Sequence, residues 1–435
     1  FLMFFTFKTV NKFCEILVKK VIVLSVFLLL STIVLYSYTY RTQAFSGNIH
    51  TLQVLREGER YGTPVVDLQS GQAISISFDE TGYISSNFHY KIIHCNSNWE
   101  QSSLSSMEYL DGFDGNSITN YDYSINTTVN YIHYQLSLPN EDVQFKVSGN
   151  YAVIIAKDND FENGVVACAC FTIVEPMARI NATISGNTMK EINGKYQQLQ
   201  IDIDIDQLKS VNPMHDFMLI VKQNGREDNQ VTLTSPSSIL SNKISYSNLQ
   251  ELIFEGGNQY RTIDFSSRYT YGSGIDRIRY EEGEYHVYLE PAQTRADKRE
   301  TYNIDAHGDY AINYQDGEES DLEADYMWVH FYLPLEKPFL SGSMNIMGRF
   351  TGNIIGEESK MEYDFTRKYY YKSYFLKQGG YNYIYVFLPK GGSQATQIPI
   401  EGSFWQSSNQ YEIYLYYKPL GSRYERLVGY NIVKN

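Results

Sequence analysis

Apolar and polar residues alternate along most of this chain, and stretches with helical spacing are few. Phe88, Tyr90 and Ile92 interleave with Asn87, His89 and Lys91, the two-residue period of a strand with one buried face. Residues 131–138 repeat the pattern, and Pro139-Asn140-Glu141-Asp142 then predicts a turn, since Pro fixes φ and Asx side chains bond nearby backbone. Further strands are expected at 49–55, 65–68, 74–78, 151–155 and 165–174, and later at 201–206, 327–333, 343–350, 361–365, 368–376, 381–388 and 412–419. Residues 87–150 form the organising block. Two strands enclose a long Asn-, Ser- and Tyr-rich segment that holds Trp99 and breaks at Asp111-Gly112 and Asp114-Gly115. Segments that long inside a compact domain are often functional.

The pattern implies an all-β protein of tandem immunoglobulin-like sandwiches after an N-terminal signal segment. Lys19-Lys20 precede the apolar run 21–30, the order of charge and hydrophobicity found in a secretory signal, so residues 1–40 are expected to be a targeting segment. No Cys follows the apolar core, so no lipid anchor is expected after cleavage. A first sandwich is expected over 41–176, where Glu175-Pro176 ends pairing. A second is expected over 177–336 and a C-terminal sandwich over 337–435.

Composition sharpens this. The 39 Tyr and 23 Phe against 3 Trp suit strands, because Tyr buries a ring while its hydroxyl reaches a polar partner. A net charge of −14 with no basic face argues against nucleic acid and against anionic lipid. Of the four Cys, Cys14 lies in the targeting segment. Cys168 and Cys170 share one side of a strand, which disfavours a bond between them. Either is able to pair with Cys95 in an oxidising compartment, but buried free thiols are the favoured reading.

No catalytic pattern emerges. The eight His never fall at metal spacing, and no nucleophile elbow, P-loop or dinucleotide fingerprint is present. Asp158-Asn159-Asp160-Phe161-Glu162-Asn163-Gly164 touches the calcium-loop pattern, but its Gly is one place late, and it reads as a hairpin turn. Asp202, Asp204 and Asp206 share one strand face and read as a solvated sheet surface. No cofactor and no metal are expected, and no enzymatic activity.

A set of short motifs carries a resemblance. In order these are His94-Cys95-Asn96 with Trp99, Glu108-Tyr109-Leu110-Asp111-Gly112, Leu138-Pro139-Asn140 and Ser148-Gly149-Asn150-Tyr151. They continue with Gln223-Asn224-Gly225-Arg226, with Phe254-Glu255-Gly256-Gly257-Asn258-Gln259-Tyr260-Arg261, with Gly379-Gly380-Tyr381-Asn382-Tyr383 and with Asn409-Gln410-Tyr411. Together they resemble the type IX secretion system plug protein family of Bacteroidetes-type envelopes, across nearly all of 40–429. The family usually has Glu-Phe where Gln259-Tyr260 stand, and Glu where Gln410 stands. The resemblance implies a periplasmic, non-enzymatic protein associated with the outer membrane through its partner, the translocon barrel. It would seal that barrel's periplasmic opening when cargo is absent.

Two readings of the motif residues compete. In one they satisfy buried backbone in long loops. In the other they anchor a protein partner, and the candidates are Trp99, Tyr109, Asn258, Tyr260, Arg261, Tyr381 and Trp405. Arg261 is also placed to pair with Asp264. The alternative function is glycan binding: Gly348-Arg349-Phe350-Thr351-Gly352 and the Gly-Tyr-x-Tyr strand weakly resemble carbohydrate-binding sandwiches, with Trp405 or Tyr370 as a platform.

Overall fold

Alternation along the strands becomes two-faced sheets packed in pairs. The computed structural model describes residues 38–298 and 305–435. The expected targeting segment lies outside the described residues up to residue 37, and Cys14 with it.

In the first sandwich, Phe88–Cys95 pairs with Gly149–Lys157, which pairs with Val165–Val174. The facing sheet orders Ile49–Arg56, Ile74–Thr81, Tyr131–Leu138 and the edge strand Tyr121–Tyr123. Their inward residues meet in one core that includes Ile76, Phe78, Phe88, Tyr134, Tyr151 and Phe171. The Pro139 turn forms as expected, with Asn140 Oδ1 accepting from the Asp142 and Val143 amides. The 158–164 segment is the expected hairpin turn: Asp160 Oδ1 takes the amides of Glu162 and Asn163, its own backbone serving as ligand. Within the long block lie a helical turn, Ser106–Tyr109, and the short strands Leu110–Gly112 and Gly115–Ser117.

The other two sandwiches do not follow the sequential division at 336. Phe217–Gln223 pairs with Gln410–Tyr417, which pairs with Arg426–Lys434. The second core therefore joins Leu199, Ile201, Phe217 and Phe254 to Tyr411, Ile413 and Val428. The third core is built from the interval between, from Ile263 to Ile400. Its sheets contain Arg261–Asp264 on Gly379–Pro389, and Tyr326–Pro334 on Tyr369–Lys377. The 412–419 stretch expected in the C-terminal sandwich thus closes the second one, and the 327–333 stretch expected in the second lies in the third. The second edge of Phe217–Gln223 is satisfied by a strand from the far end of the chain, a pairing that local pattern does not specify. Residues 40–435 form one compact unit.

Tyrosine is what binds these layers. Tyr151 donates to Val147 O, Tyr411 to Gln197 Oε1 and Tyr416 to Asn150 Oδ1, each ring buried among apolar neighbours. A Phe would lose those bonds, at a cost of about 0.5–1.5 kcal/mol each. Asp202 stands on a half-exposed face paired with Lys243, and Asp206 falls beyond the strand end. Cys95, Cys168 and Cys170 are free and buried in one apolar cluster, and the Cys168 and Cys170 sulfurs lie 3.8 Å apart.

Candidate partner-binding site

The organising block folds around His94. Its Nε2 faces the Ser148 carbonyl at 3.2 Å and so must donate, which leaves Nδ1 to accept from the Ser102 hydroxyl at 2.8 Å. Burial holds this imidazole down at about 4, so it stays neutral. Gly149, at φ +142°, runs directly under the ring: a β-carbon there would lie 2.4 Å from Nε2. That contact ties the His94 and Ser148-Gly149 motifs, 54 residues apart in sequence, into one structural unit. Tyr109 is buried in the same unit, donating to Ile92 O at 3.0 Å, and its phenol is pushed up to about 12 by burial. Its helical turn is pinned by the Glu108 carboxylate, which takes the Ser105 amide and hydroxyl at 2.8 Å. Trp99 sits at φ +62° in a tight turn, half-buried against Cys95, Cys168 and Cys170.

The Asn258–Arg261 motif builds the junction between the second and third sandwiches. Asn258 Nδ2 donates to Glu401 O at 2.8 Å, and Arg261 forms a two-pronged pair with the Glu401 carboxylate at 3.0 Å on both oxygens. Arg295 adds a second guanidinium, and the Tyr385 amide a further donor. Burial raises the cost of the Glu401 charge, but the two guanidinium groups outweigh it and hold the carboxyl below the usual range. Arg261 therefore pairs with Glu401, not with Asp264, which caps Ser266 instead. Tyr260 lies buried against Gly308, where a β-carbon would stand 2.7 Å from its ring. Tyr381 is buried between the rings of Phe265 and Tyr310. Trp405 is half-buried on Gly186, where a β-carbon would meet its ring at 2.5 Å, and Tyr370 is buried. Neither is an open platform for a sugar.

Gly256 shows why glycine is required beside this motif: a β-carbon would lie 2.2 Å from Phe404 O. The adjoining amides complete the junction. Asn409 Nδ2 donates to Gly256 O at 2.7 Å and to Gln197 Oε1 at 3.0 Å, and Asn224 donates to Asn409 Oδ1 at 2.8 Å.

A second polar centre, which the sequence reading did not find, joins the first and third sandwiches. Asp79 is fully buried and accepts from His133 at 2.6 Å, Lys377 at 2.6 Å and Tyr326 at 2.7 Å. The Lys377 ammonium lies 4.1 Å over the Tyr131 ring and donates to Asp321 O at 2.7 Å. Burial opposes the charge on Asp79, but Lys377 and His133 prevail and lower its carboxyl.

Of the seven candidates, Tyr109, Asn258, Tyr260 and Tyr381 are therefore buried, and Arg261 is committed to Glu401. The surface that is free lies elsewhere. Tyr83 and Ile84 are 77% and 83% exposed, beside the Tyr121–Tyr123 edge strand and Ile125. A hydrogen bond of 2.9 Å from Asn130 holds the Tyr83 hydroxyl, and Tyr123 donates to Ser85. Among the described residues the edge strand pairs with 131–138 on one side only. Its register turns the main-chain groups of Tyr121 and Tyr123 toward the open edge, since the Gln135–Asn120 and Ser124–Tyr131 bonds occupy the flanking positions. The sequence signal was Tyr121-Asp122-Tyr123, alternating inside the long block.

A model of the type 9 secretion system plug protein first domain matches residues 49–175. Among curated proteins none matches. A hypothetical protein from Parabacteroides merdae, known by crystal structure, is 40% identical with a TM-score of 0.89, over 92% of this chain and 100% of that one. The C-terminal domain of the Streptococcus agalactiae AgI/II polypeptide BspA is 8% identical with a TM-score of 0.16, over 88% of this chain and 96% of that one. With the first-domain match inside a full-length likeness at 40% identity, the chain belongs to the type 9 secretion system plug protein family.

Proposed function

We propose that this protein is a periplasmic plug that binds the periplasmic opening of the type 9 translocon barrel and seals it when no cargo is in transit. The observation that carries the reading is the plug-domain match over 49–175. The mechanism is steric and needs no reacting group. A seal requires a body that holds its shape, and the buried Asp79–Lys377 pair ties the first sandwich to the third while Asn258, held on the Glu401 carbonyl, joins the second to the third. It also requires a contact surface. The Tyr83, Ile84, Tyr121 and Tyr123 face offers aromatic anchors and an open strand edge within the matched region.

The test is a pull-down from gently solubilised outer membranes of the native host, with a photo-crosslinking residue at position 84 or 123. Recovery of one very large barrel, crosslinked at those positions and depleted when cargo is overproduced, is the expected result. Recovery of no membrane partner sinks the plug reading. Recovery of the barrel with crosslinks only from other faces moves the contact surface and leaves the plug role standing.

A further inference from the structure

Where the three sandwiches meet there is a cleft of about 640 Å³, within the about 300–1,000 Å³ typical of small-ligand sites. Its floor gathers polar groups from all three. Gly225, at φ +66°, stands at the centre: a β-carbon there would lie 3.2 Å from Asn353 Nδ2, 3.5 Å from Arg349 Nη2 and 3.7 Å from Glu412 Oε1. Each of these side chains has hydrogen-bonding capacity that the fold does not use. Asn353 is 4% exposed, and its Oδ1 has no hydrogen-bond partner among the described residues. Arg349 donates through Nε to Asp309, while its two terminal nitrogens have no partner among the described residues. Glu412 is 2% exposed and is held by two hydroxyls, Thr63 at 2.9 Å and Tyr414 at 2.7 Å, with no cation in ion-pair contact among the described residues. A buried amide oxygen that no protein group satisfies is an acceptor open to an occupant of the cleft that donates to it.

The charges around the floor define that occupant. Asp309 and Glu412 disfavour an anion, and the Arg349 guanidinium disfavours a metal cation. What fits is neutral and carries donors and acceptors side by side, as vicinal hydroxyls do. Tyr61 and Trp99 also line the cleft, and aromatic side chains suit the C–H faces of a pyranose. We infer that this cleft is a binding site for a neutral carbohydrate, held by Arg349, Asn353 and Glu412. The site is distinct from the surface proposed for the barrel and does not rest on the plug reading. It moves sugar recognition away from Trp405 and Tyr370, which the fold buries in part or in full.

The test is calorimetric titration of the full chain with neutral oligosaccharides (maltohexaose, cellohexaose, xylohexaose and chitohexaose), with a hexaserine peptide as the competing chemistry. Saturable binding of at least one sugar is expected. It should weaken about tenfold or more in Asn353→Gly, which keeps the positive φ of 52°, and in the exposed Tyr61→Ala. Thermal melting of both variants should stay close to that of the parent, which separates lost contacts from lost fold. No saturable heat with any sugar, or sugar binding indifferent to both substitutions, overturns the inference. Binding of the peptide alone overturns it in favour of a polypeptide occupant.

Discussion

At the scale of single residues, the motifs prove to be mutual packing requirements. Gly149 exists as glycine because His94 occupies the space of its β-carbon. Gly149→Ala should therefore destabilise by about 1–3 kcal/mol from overpacking and positive-φ strain combined. In a His94→Ala background the steric part disappears, so a double-mutant cycle read by urea midpoints should show coupling of about 1 kcal/mol or more. Strict additivity would mean that the two motifs are independent. His94 also predicts a pH dependence. Its folded value of about 4 lies below the ordinary 6.5, so the unfolded chain takes up a proton first as pH falls. Stability from this group is complete above 6.5 and is lost as pH falls toward 4, on the order of 3 kcal/mol in all. His94→Gln should flatten the stability-versus-pH curve across that window, and an unchanged slope would contradict neutral burial. The Asp79 pair is a sharper case. Lys377→Met leaves a buried carboxylate facing only His133 and Tyr326, and should cost about 3–5 kcal/mol. Adding Asp79→Asn to it should return part of that loss, and failure to do so would mean that the charge was not the burden.

At the scale of elements, strand existence was legible and strand partnership was not. The period-two runs at 88–92, 131–138 and 327–333 became strands because a sheet with one buried face writes itself as alternation. Nothing in the residues 412–417 names Phe217–Gln223 as their neighbour, since a strand's face is local and its edge partner is not. The same limit hid the polar centres. Asp79, Lys377, Glu401 and Arg295 are ordinary surface residues by type, and only the fold brings Asp79 and Lys377 together across 298 positions. The exposed face was half legible, since Tyr121-Asp122-Tyr123 was visible as alternation but its edge position was not. A consequence is testable by truncation. The segment 337–435 expressed alone should not fold, because its last two strands belong to the second core and its first strands lack their partners from 261–334. The expected readout is a flat thermal melt with strong binding of a hydrophobic dye. A cooperative melt of that piece would show instead that the C-terminal strands form an autonomous sandwich.

At the scale of the whole molecule, the long-range pairing decides how the protein responds to stress. Three domains strung in series open one by one, and each linker becomes a hinge. Here the chain leaves the second sandwich at Glu255, builds the third and returns at Gln410, so the second closes only once the third has brought its two ends together. The first is tied to the third by Asp79–Lys377 and by Asp325 accepting the Thr128 and Val129 amides, and to the second by Tyr416–Asn150 and Arg426–Glu175. Buried ionic ties of this kind are poor sources of net stability, but breaking one is costly, and that asymmetry couples the units. Calorimetry should therefore show a single unfolding transition with matching calorimetric and van't Hoff enthalpies. Replacing Asp79 by Asn and Lys377 by Met together removes the ionic part of the first-to-third tie with no charge of that pair left buried, while the Asp325 bonds remain. The coupling should then weaken, and the van't Hoff enthalpy should fall below the calorimetric one. Two or three peaks in the unaltered protein would mean that the sandwiches move independently. A body that flexes at such joints cannot hold one outline against a pore, so the same scan bears on the plug role before any partner is isolated.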